Sequence, residues 1–355
     1  MDASATHVLT DDAPTIGVAA GGPGSAVPAN SGPASPEDVA WFADRYEALL
    51  RNIETVIRGK SDVVRLALVC LAAEGHVLID DVPGVGKTSI AKAIARSVAG
   101  SLRRIQCTPD LLPTDITGVQ VWNANTREFE FARGPVFSNV VLADEVNRAS
   151  PKTQAALLEV MEERQVTVDG TSFPVPRPFI VIATQNPVEH GGTYDLPEAQ
   201  IDRFTARLSV GYPAHEAEVE VLANRSTGRG TDDLGPVVSA DDVGRMIDIA
   251  RRVHLARPLL GYIVTICAAT RTAPELRLGV SPRGGLALAA AAQARAAAAR
   301  RTFVTPDDVR SLAPHVLSHR MLARPEAELA GADPAALVGA IVASVPVPDS
   351  RATLS

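Results

Sequence analysis

The sequence predicts an α/β fold, a parallel sheet wrapped by helices and followed by a smaller all-helical module. Three observations predict it. First, five short β-rich runs alternate with helical segments: His76–Asp80, Leu102–Gln106, Val140–Asp144, Phe179–Thr184 and Ala206–Val210. That rhythm is the signature of a five-stranded parallel sheet. Second, a glycine-rich turn at 81–88 separates the first strand from a helix over Ser89–Val98. Third, the strand signals stop after Pro213 and the chain turns helical and alanine-rich. There Leu286–Arg301 is nearly all strong helix formers, ended by Thr302, Val304 and Pro306.

Residues 1–37 are rich in Gly, Pro, Ala and Ser with almost no large hydrophobes, so burial cannot offset ordering entropy and a disordered arm is expected. Ser35, Pro36, Glu37 and Asp38 carry helix-start chemistry, and Trp41, Phe42, Tyr46, Leu49, Leu50 and Ile53 recur at helical spacing. Two β pairs interrupt the sheet rhythm. Val119–Trp122 with Glu128–Phe131 reads as a hairpin turning at Asn123-Ala124-Asn125. Gln165–Val168 with Thr171–Val175 reads as a second, turning at Asp169-Gly170. The expected division is an arm (1–37), an α/β nucleotide-binding domain (38–213), a helical lid (214–348) and a tail (349–355).

A net charge of −7 lacks the basic footprint of a nucleic-acid binder, so no nucleic-acid partner is expected. Cys70, Cys107 and Cys267 follow no metal or redox spacing and read as buried small hydrophobes, in keeping with a reducing, cytoplasmic setting. The opening Met1-Asp2-Ala3-Ser4 lacks a signal peptide's basic region, and runs such as Val63–Ala73 are too short to span a bilayer, so no membrane insertion is expected. His315 and His319 stand four apart on a probable helix without a metalloprotease glutamate, and read as helix-surface histidines.

The turn Asp81-Val82-Pro83-Gly84-Val85-Gly86-Lys87-Thr88, between strand and helix, has the form of a phosphate-binding loop. Such a loop curls backbone N–H groups around phosphates at a helix N-terminus. Pro83, Gly84, Val85, Gly86, Lys87, Thr88 and Ser89 are therefore the expected ATP contacts, with Lys87 on the β- and γ-phosphates and Thr88 in the Mg²⁺ shell. One position departs from the pattern: Asp81 stands where a glycine is usual, at the loop's entrance.

A nucleoside triphosphatase also needs a carboxylate near Mg²⁺ and a group that orients water. The apolar strand Asn139–Ala143 ends in Asp144-Glu145, placing Asp144 at the metal and Glu145 beside the attacking water. The next strand ends in Gln185-Asn186-Pro187, where Asn186 fits a sensor of the γ-phosphate or the water. Arg203, in Ile201-Asp202-Arg203-Phe204, and Arg283, in Ser281-Pro282-Arg283-Gly284, offer planar forks suited to developing phosphate charge.

This ordered set resembles the AAA+ superfamily, and the intervening text is similar to its MoxR family. Asp80-Asp81-Val82-Pro83-Gly84-Val85-Gly86-Lys87-Thr88 looks like that family's P-loop, and Phe131-Ala132-Arg133-Gly134-Pro135-Val136-Phe137 its segment before Walker B. Ala143–Ala149, Gln154–Glu163 and Leu196–Phe204 extend the likeness, which runs over roughly residues 38–348. Val188–Asp195 departs from the usual family text beside the sensor.

The resemblance implies rings, generally hexamers, with ATP between subunits, Arg203 acting in trans as arginine finger and Arg283 as the lid sensor. It also implies that the first hairpin is a clade insertion facing the ring pore. Remodelling or maturation of partner proteins is implied too, often with a von Willebrand factor A domain protein or a client enzyme, including metal or cofactor insertion. The alternatives are a magnesium-chelatase-like motor subunit and a nucleic-acid-acting AAA+ motor.

Overall fold

The structure, a computed structural model, describes residues 32–348 except 83, 187–192, 213, 214, 217 and 220–229. The arm up to residue 31, the tail 349–355, the 213/214 boundary and the Val188–Gly192 part of the departing loop lie outside the described residues.

In chain order the strands are β1 (Val77–Asp80), β2 (Val98–Ala99), β3 (Leu102–Gln106), β4 (Gly118–Asn123), β5 (Glu128–Arg133), β6 (Val140–Asp144), β7 (Gln165–Val168), β8 (Thr171–Pro174), β9 (Ile180–Gln185) and β10 (Ala206–Leu208). Five of them form the parallel sheet, in the order β10-β1-β9-β6-β3. The two hairpins, β4–β5 and β7–β8, form antiparallel pairs of their own.

The three central strands of the sheet, β1, β9 and β6, are buried on both faces, and the strand period of two divides their side chains between two cores. Val77, Ile79, Val140, Leu142, Ile180 and Ile182 enter one; Leu78, Val141, Ala143, Val181 and Ala183 enter the other. The second core is closed by the helix Pro151–Glu163 through Leu157, Leu158, Val160 and Met161. The first continues without a break into the helical module, through Met246, Ile247, Leu259, Ile266 and Leu288.

The first helix, Pro36–Glu54, starts as its capping residues dictate. Ser35 Oγ accepts from Asp38 N while Asp38 accepts from Ser35 N, a reciprocal capping box. The long helix of the helical module runs over Pro282–Ala298, earlier at both ends than the alanine pattern suggests, because Ser281 caps it and Arg300 turns to φ 57°. Ala291, Ala292, Ala294, Ala296 and Ala297 are fully buried there, so small side chains let neighbouring helices approach closely.

The module is not wholly helical. Val238–Ser239 pairs in parallel with β2, and Leu276–Leu278 pairs antiparallel with Leu322–Ala323. Pairings of two or three residues have no periodicity to announce them. The three cysteines are all buried. No helix among the described residues is long and apolar enough to cross a membrane.

The first hairpin leaves the sheet through a tight crossing. A Cβ on Gly118 would stand 2.3 Å from the Ala132 carbonyl oxygen, and one on Gly134 2.3 Å from that of Ile116, so only glycine fits either place. Its root is tied to the second hairpin by Phe131, whose ring stacks on Phe173 at 4.5 Å. Its tip carries the edge-to-face pair Trp122–Phe129, both more than half exposed.

Candidate nucleotide-binding and hydrolysis site

The sheet register brings three strand ends level. Asp80 lies opposite Gln185, Ala143 opposite Ala183, and Gln106 opposite Asp144. The chain leaves β1 into the phosphate-binding loop, β6 into Glu145 and β9 into Asn186. A cleft at the carboxyl ends of parallel strands is where α/β sheets bind ligands.

In the loop, Gly84 and Gly86 take φ values of +83° and +92°. No atom lies within 4 Å of a Cβ built on either, so glycine is required by backbone conformation rather than by space. Gly86 begins the helix Lys87–Ser97 with no side-chain cap, which leaves the first-turn N–H groups for an anion. Pro83 lies outside the described residues, and Val85 and Ser89 are half-buried in the same turn.

Lys87 Nζ donates to the carbonyl oxygens of Asp81 and Gln185, each at 2.6 Å, tying the loop to the β9 tip. Burial pushes its pKa down, while the carboxylates of Asp80, Asp81, Asp144 and Glu145 act the other way.

Asp81 proves to be more than a tolerated substitution for glycine. Its Oδ2 accepts from Val210 N at 2.7 Å, Gly211 N at 2.6 Å and Ser209 Oγ at 2.9 Å, and its Oδ1 accepts from Val82 N at 2.7 Å. These bonds draw residues 209–211 off the ladder, so β10 ends at Leu208 instead of Val210. Partial burial opposes the charge, yet the hydrogen bonds, led by that from Gly211, hold the Asp81 pKa below the usual range.

Asp144 and Glu145 are organised by a residue that sequence reasoning missed. Thr184 Oγ1 donates to Asp144 Oδ1 at 2.6 Å and accepts from Glu145 N at 2.9 Å. One hydroxyl therefore sets both the metal-side carboxylate and the backbone of the water-side one. Asp144 Oδ2 also accepts from Thr88 Oγ1 at 3.2 Å and from the Arg104 guanidinium at 2.7 and 3.2 Å. Glu145 is left-handed, at φ 57°, a conformation that costs roughly 1 kcal/mol or more in a non-glycine residue and clusters at functional sites. Its carboxylate accepts from Arg148 Nη1 at 3.0 Å and Gln106 Nε2 at 3.3 Å. Asn186 is buried at the β9 tip, and its carbonyl accepts from Asn147 Nδ2 at 3.2 Å.

The residues present fit ATP with Mg²⁺. A hydroxyl and a carboxylate within hydrogen-bond reach, Thr88 and Asp144, are the hard oxygen donors that magnesium takes alongside phosphate. Lys87 and the uncapped helix start supply the phosphate side.

Arg203 and Arg283 are brought together, but at a second locus. Arg203 Nε donates to Glu162 Oε2 at 2.7 Å, and Arg283 pairs with Glu162 Oε1. Glu162 sits at the C-terminal end of the helix Pro151–Glu163, so both guanidinium groups turn to it rather than to the phosphate-binding loop. His319, next in line, is buried rather than on the surface. Its Nε2 lies 3.0 Å from the Phe204 carbonyl oxygen, and burial pushes its pKa down to about 3.

Comparison with known proteins agrees with this architecture. Residues 76–206 match the family described as ATPases associated with various cellular activities, and residues 268–340 match the AAA lid domain. YeaC of Bacillus subtilis is 48% identical over 89% of this chain and 100% of its own length. Chaperone MoxR1 of Mycobacterium tuberculosis is 39% identical over 92% of this chain and 89% of its own. A crystal structure from Cytophaga hutchinsonii, assigned as an ATPase, superposes with a TM-score of 0.82 at 35% identity, covering 88% of this chain and 98% of that one. With a phosphate-binding loop after β1, paired carboxylates at the end of β6 in the same sheet and a relative 39% identical over 89% of its own length, the chain is an ATP hydrolase that belongs to the MoxR family of AAA+ ATPases.

Proposed function

We propose that this ATPase hydrolyses ATP at the contacts between copies arranged as a ring, expected to be a hexamer, and uses the cycle to remodel or mature a partner protein in the cytoplasm. The observation that carries the reading is the division of functional groups into two loci. Lys87, Thr88, Asp144, Glu145 and Asn186 gather at the strand ends, while Arg203 and Arg283 gather on Glu162. Arginines apart from their own phosphate loop are placed to serve another copy's.

In that mechanism the N–H groups of Gly84–Ser89 hold the phosphates, and Lys87 Nζ exchanges the carbonyls of Asp81 and Gln185 for phosphate oxygens. Thr88 and Asp144 would hold Mg²⁺, which when bound supplies positive charge to the β- and γ-phosphate oxygens. Glu145 accepts a hydrogen bond from the attacking water and orients it, with its backbone fixed by Thr184. Asn186 contacts the γ-phosphate or that water. Arg203 of a neighbour neutralises charge that grows as the phosphoryl group leaves, and Arg283 reports the same event to the helical module.

For the partner, a von Willebrand factor A domain protein or a client enzyme receiving a metal or cofactor fits the family. The test is affinity capture with Glu145→Gln, which keeps ATP bound, against Lys87→Ala, which does not bind it. Retention of such a protein by the first variant alone supports remodelling. Retention of DNA instead sinks it in favour of a nucleic-acid motor.

A further inference from the structure

Arg320 is among the most buried charged residues described, at 6% exposure. Its guanidinium is spent almost entirely on one turn. Nη2 donates to the Phe204 carbonyl at 2.5 Å, Nη1 donates to the Asp202 carbonyl and pairs with the Asp202 carboxylate, and Nε donates to the Val316 carbonyl at 2.8 Å. One planar fork therefore grips the backbone on both sides of Arg203.

The remaining oxygen of Asp202 accepts from Ser281 Oγ at 2.9 Å, and Ser281 caps the helix that carries Arg283. That helix closes tightly on Arg320. A Cβ on Gly284 would stand 2.9 Å from Arg320 Cδ and 2.4 Å from Val280 Cγ1, so the glycine in Ser281-Pro282-Arg283-Gly284 lets the helix start seat against the arginine stem. Arg203, Arg283 and Arg320 line a single cavity of about 190 Å³, with Glu162 and Asp202 as the two carboxylates between them.

We propose that Arg320 is a positioning residue for ATP hydrolysis: by clamping Asp202 and the carbonyls flanking Arg203, it holds Arg203 and Arg283 as one rigid pair presented to the ATP of a neighbouring copy. The inference rests on the in-trans reading of Arg203 given above. Arg320 suits the task because a guanidinium offers five donors in fixed directions, whereas a lysine in its place would leave buried carbonyls unsatisfied. Burial works against its charge, and Asp202 is the ion that offsets it.

The role shows in where a defect is felt. Arg320→Gln leaves its own phosphate-binding loop intact and spoils the arginines it lends. Rings made only of Arg320→Gln lose about ten- to a hundredfold in kcat, the cost of misplacing a catalytic group by about an ångström, while ATP affinity stays within about twofold. Mixing those subunits with Glu145→Gln subunits restores turnover, because the latter cannot hydrolyse ATP but carry intact Arg203 and Arg283. Arg203→Ala mixed with Glu145→Gln is the control.

If the control pair recovers activity and the Arg320→Gln pair does not, Arg320 serves only its own subunit and the inference is overturned. Wild-type kcat in Arg320→Gln rings overturns it as well. If neither pair recovers, the in-trans reading itself has failed. Asp202→Asn keeps the size of the side chain and the backbone acceptors of Arg320, and carries the same test should Arg320→Gln fail to fold.

Discussion

The strand-end site and the Glu162 locus are held in different ways. At the first, Asp144, Glu145 and Asn186 stand at the ends of buried strands, and Lys87 and Thr88 begin the helix that follows the loop after β1. Hydrogen bonds tie these pieces together: Thr184 to Asp144 between neighbouring strands, Lys87 to Gln185 and Thr88 to Asp144 from the helix start to the strand ends. At the second, the parts come from the helix Pro151–Glu163, the turn before β10 and two segments of the helical module, so its geometry exists only while the two modules stay packed. Binding and water activation rest on the stiff sheet, which every copy must keep intact. The arginine pair rests where a shift between modules would move it, and where hydrolysis in one copy can be felt by the next.

Lys87→Ala and Glu145→Gln break the first region most completely. The former loses nucleotide binding, read by titration with a fluorescent ATP analogue. The latter binds ATP normally and loses about a thousandfold in turnover, the scale of a lost general base. Normal turnover by Glu145→Gln would remove Glu145 from its role.

Arg203→Ala is the matching break in the second region. Binding stays near wild type and turnover falls by about a hundredfold, since a phosphoryl-directed arginine is worth at least that. Specific activity of the wild-type protein should in turn fall on dilution as copies separate. Activity independent of concentration down to the monomer would overturn the in-trans reading.

Thr184→Val sharpens the contrast at smaller amplitude. Shape is kept, but Asp144 loses a donor and Glu145 N its acceptor. A buried group left unpaired costs about 1–3 kcal/mol in denaturant unfolding. Turnover should fall by about tenfold, with ATP affinity little changed. An unaltered kcat would mean the hydroxyl braces the fold and not the chemistry.

The two regions also differed in how far the sequence disclosed them. Every strand of the sheet announced itself, because β-rich runs punctuated by helices are a local signal, and so did Lys87 and Thr88, in the glycine-rich turn and helix start after β1, and Asp144 and Glu145, at the end of β6. Thr184 did not, since nothing in Ala183-Thr184-Gln185 says that its hydroxyl meets a neighbouring strand. Asp81 looked like a missing glycine until residues 209–211 were seen to fold onto it. Arg203 and Arg283 could be picked out by type and place, but their meeting on Glu162 joins positions 162, 203 and 283, and no periodicity reaches across such separations. His319 read as a helix-surface histidine and Arg320 carried no signal, because the partner of both is the Phe204 carbonyl, more than a hundred residues away.

A buried histidine stands under each region, and acid titration compares them. His76 braces the sheet: Val181 N donates to its Nδ1 at 3.0 Å, and its Nε2 lies 3.1 Å from the Met161 carbonyl oxygen, the pattern of a neutral ring protonated at Nε2. Burial pushes its pKa down to about 4, against the raising effect of the Met161 bond. His319 braces the arginine turn, and burial, then the Arg320 charge, push its pKa down to about 3.

In the unfolded chain both titrate near the ordinary histidine value of about 6.5. Above that pH, folded and unfolded states bind the same protons at these sites and stability does not depend on them. As pH falls below it, the unfolded chain takes up protons that the folded one refuses. Stability then drops by about 1.4 kcal/mol per pH unit for each histidine, until the folded values are approached. Denaturant unfolding between about pH 7 and about pH 5, above the range where carboxylates titrate, should show the combined slope. His76→Gln and His319→Gln should each remove a comparable share of it, and the double variant should keep only the residual slope of His315, whose pKa burial also pushes down. Removal by His76→Gln alone would mean that the arginine turn opens to water before the sheet does, and the two regions would then be separate in stability as they are in architecture.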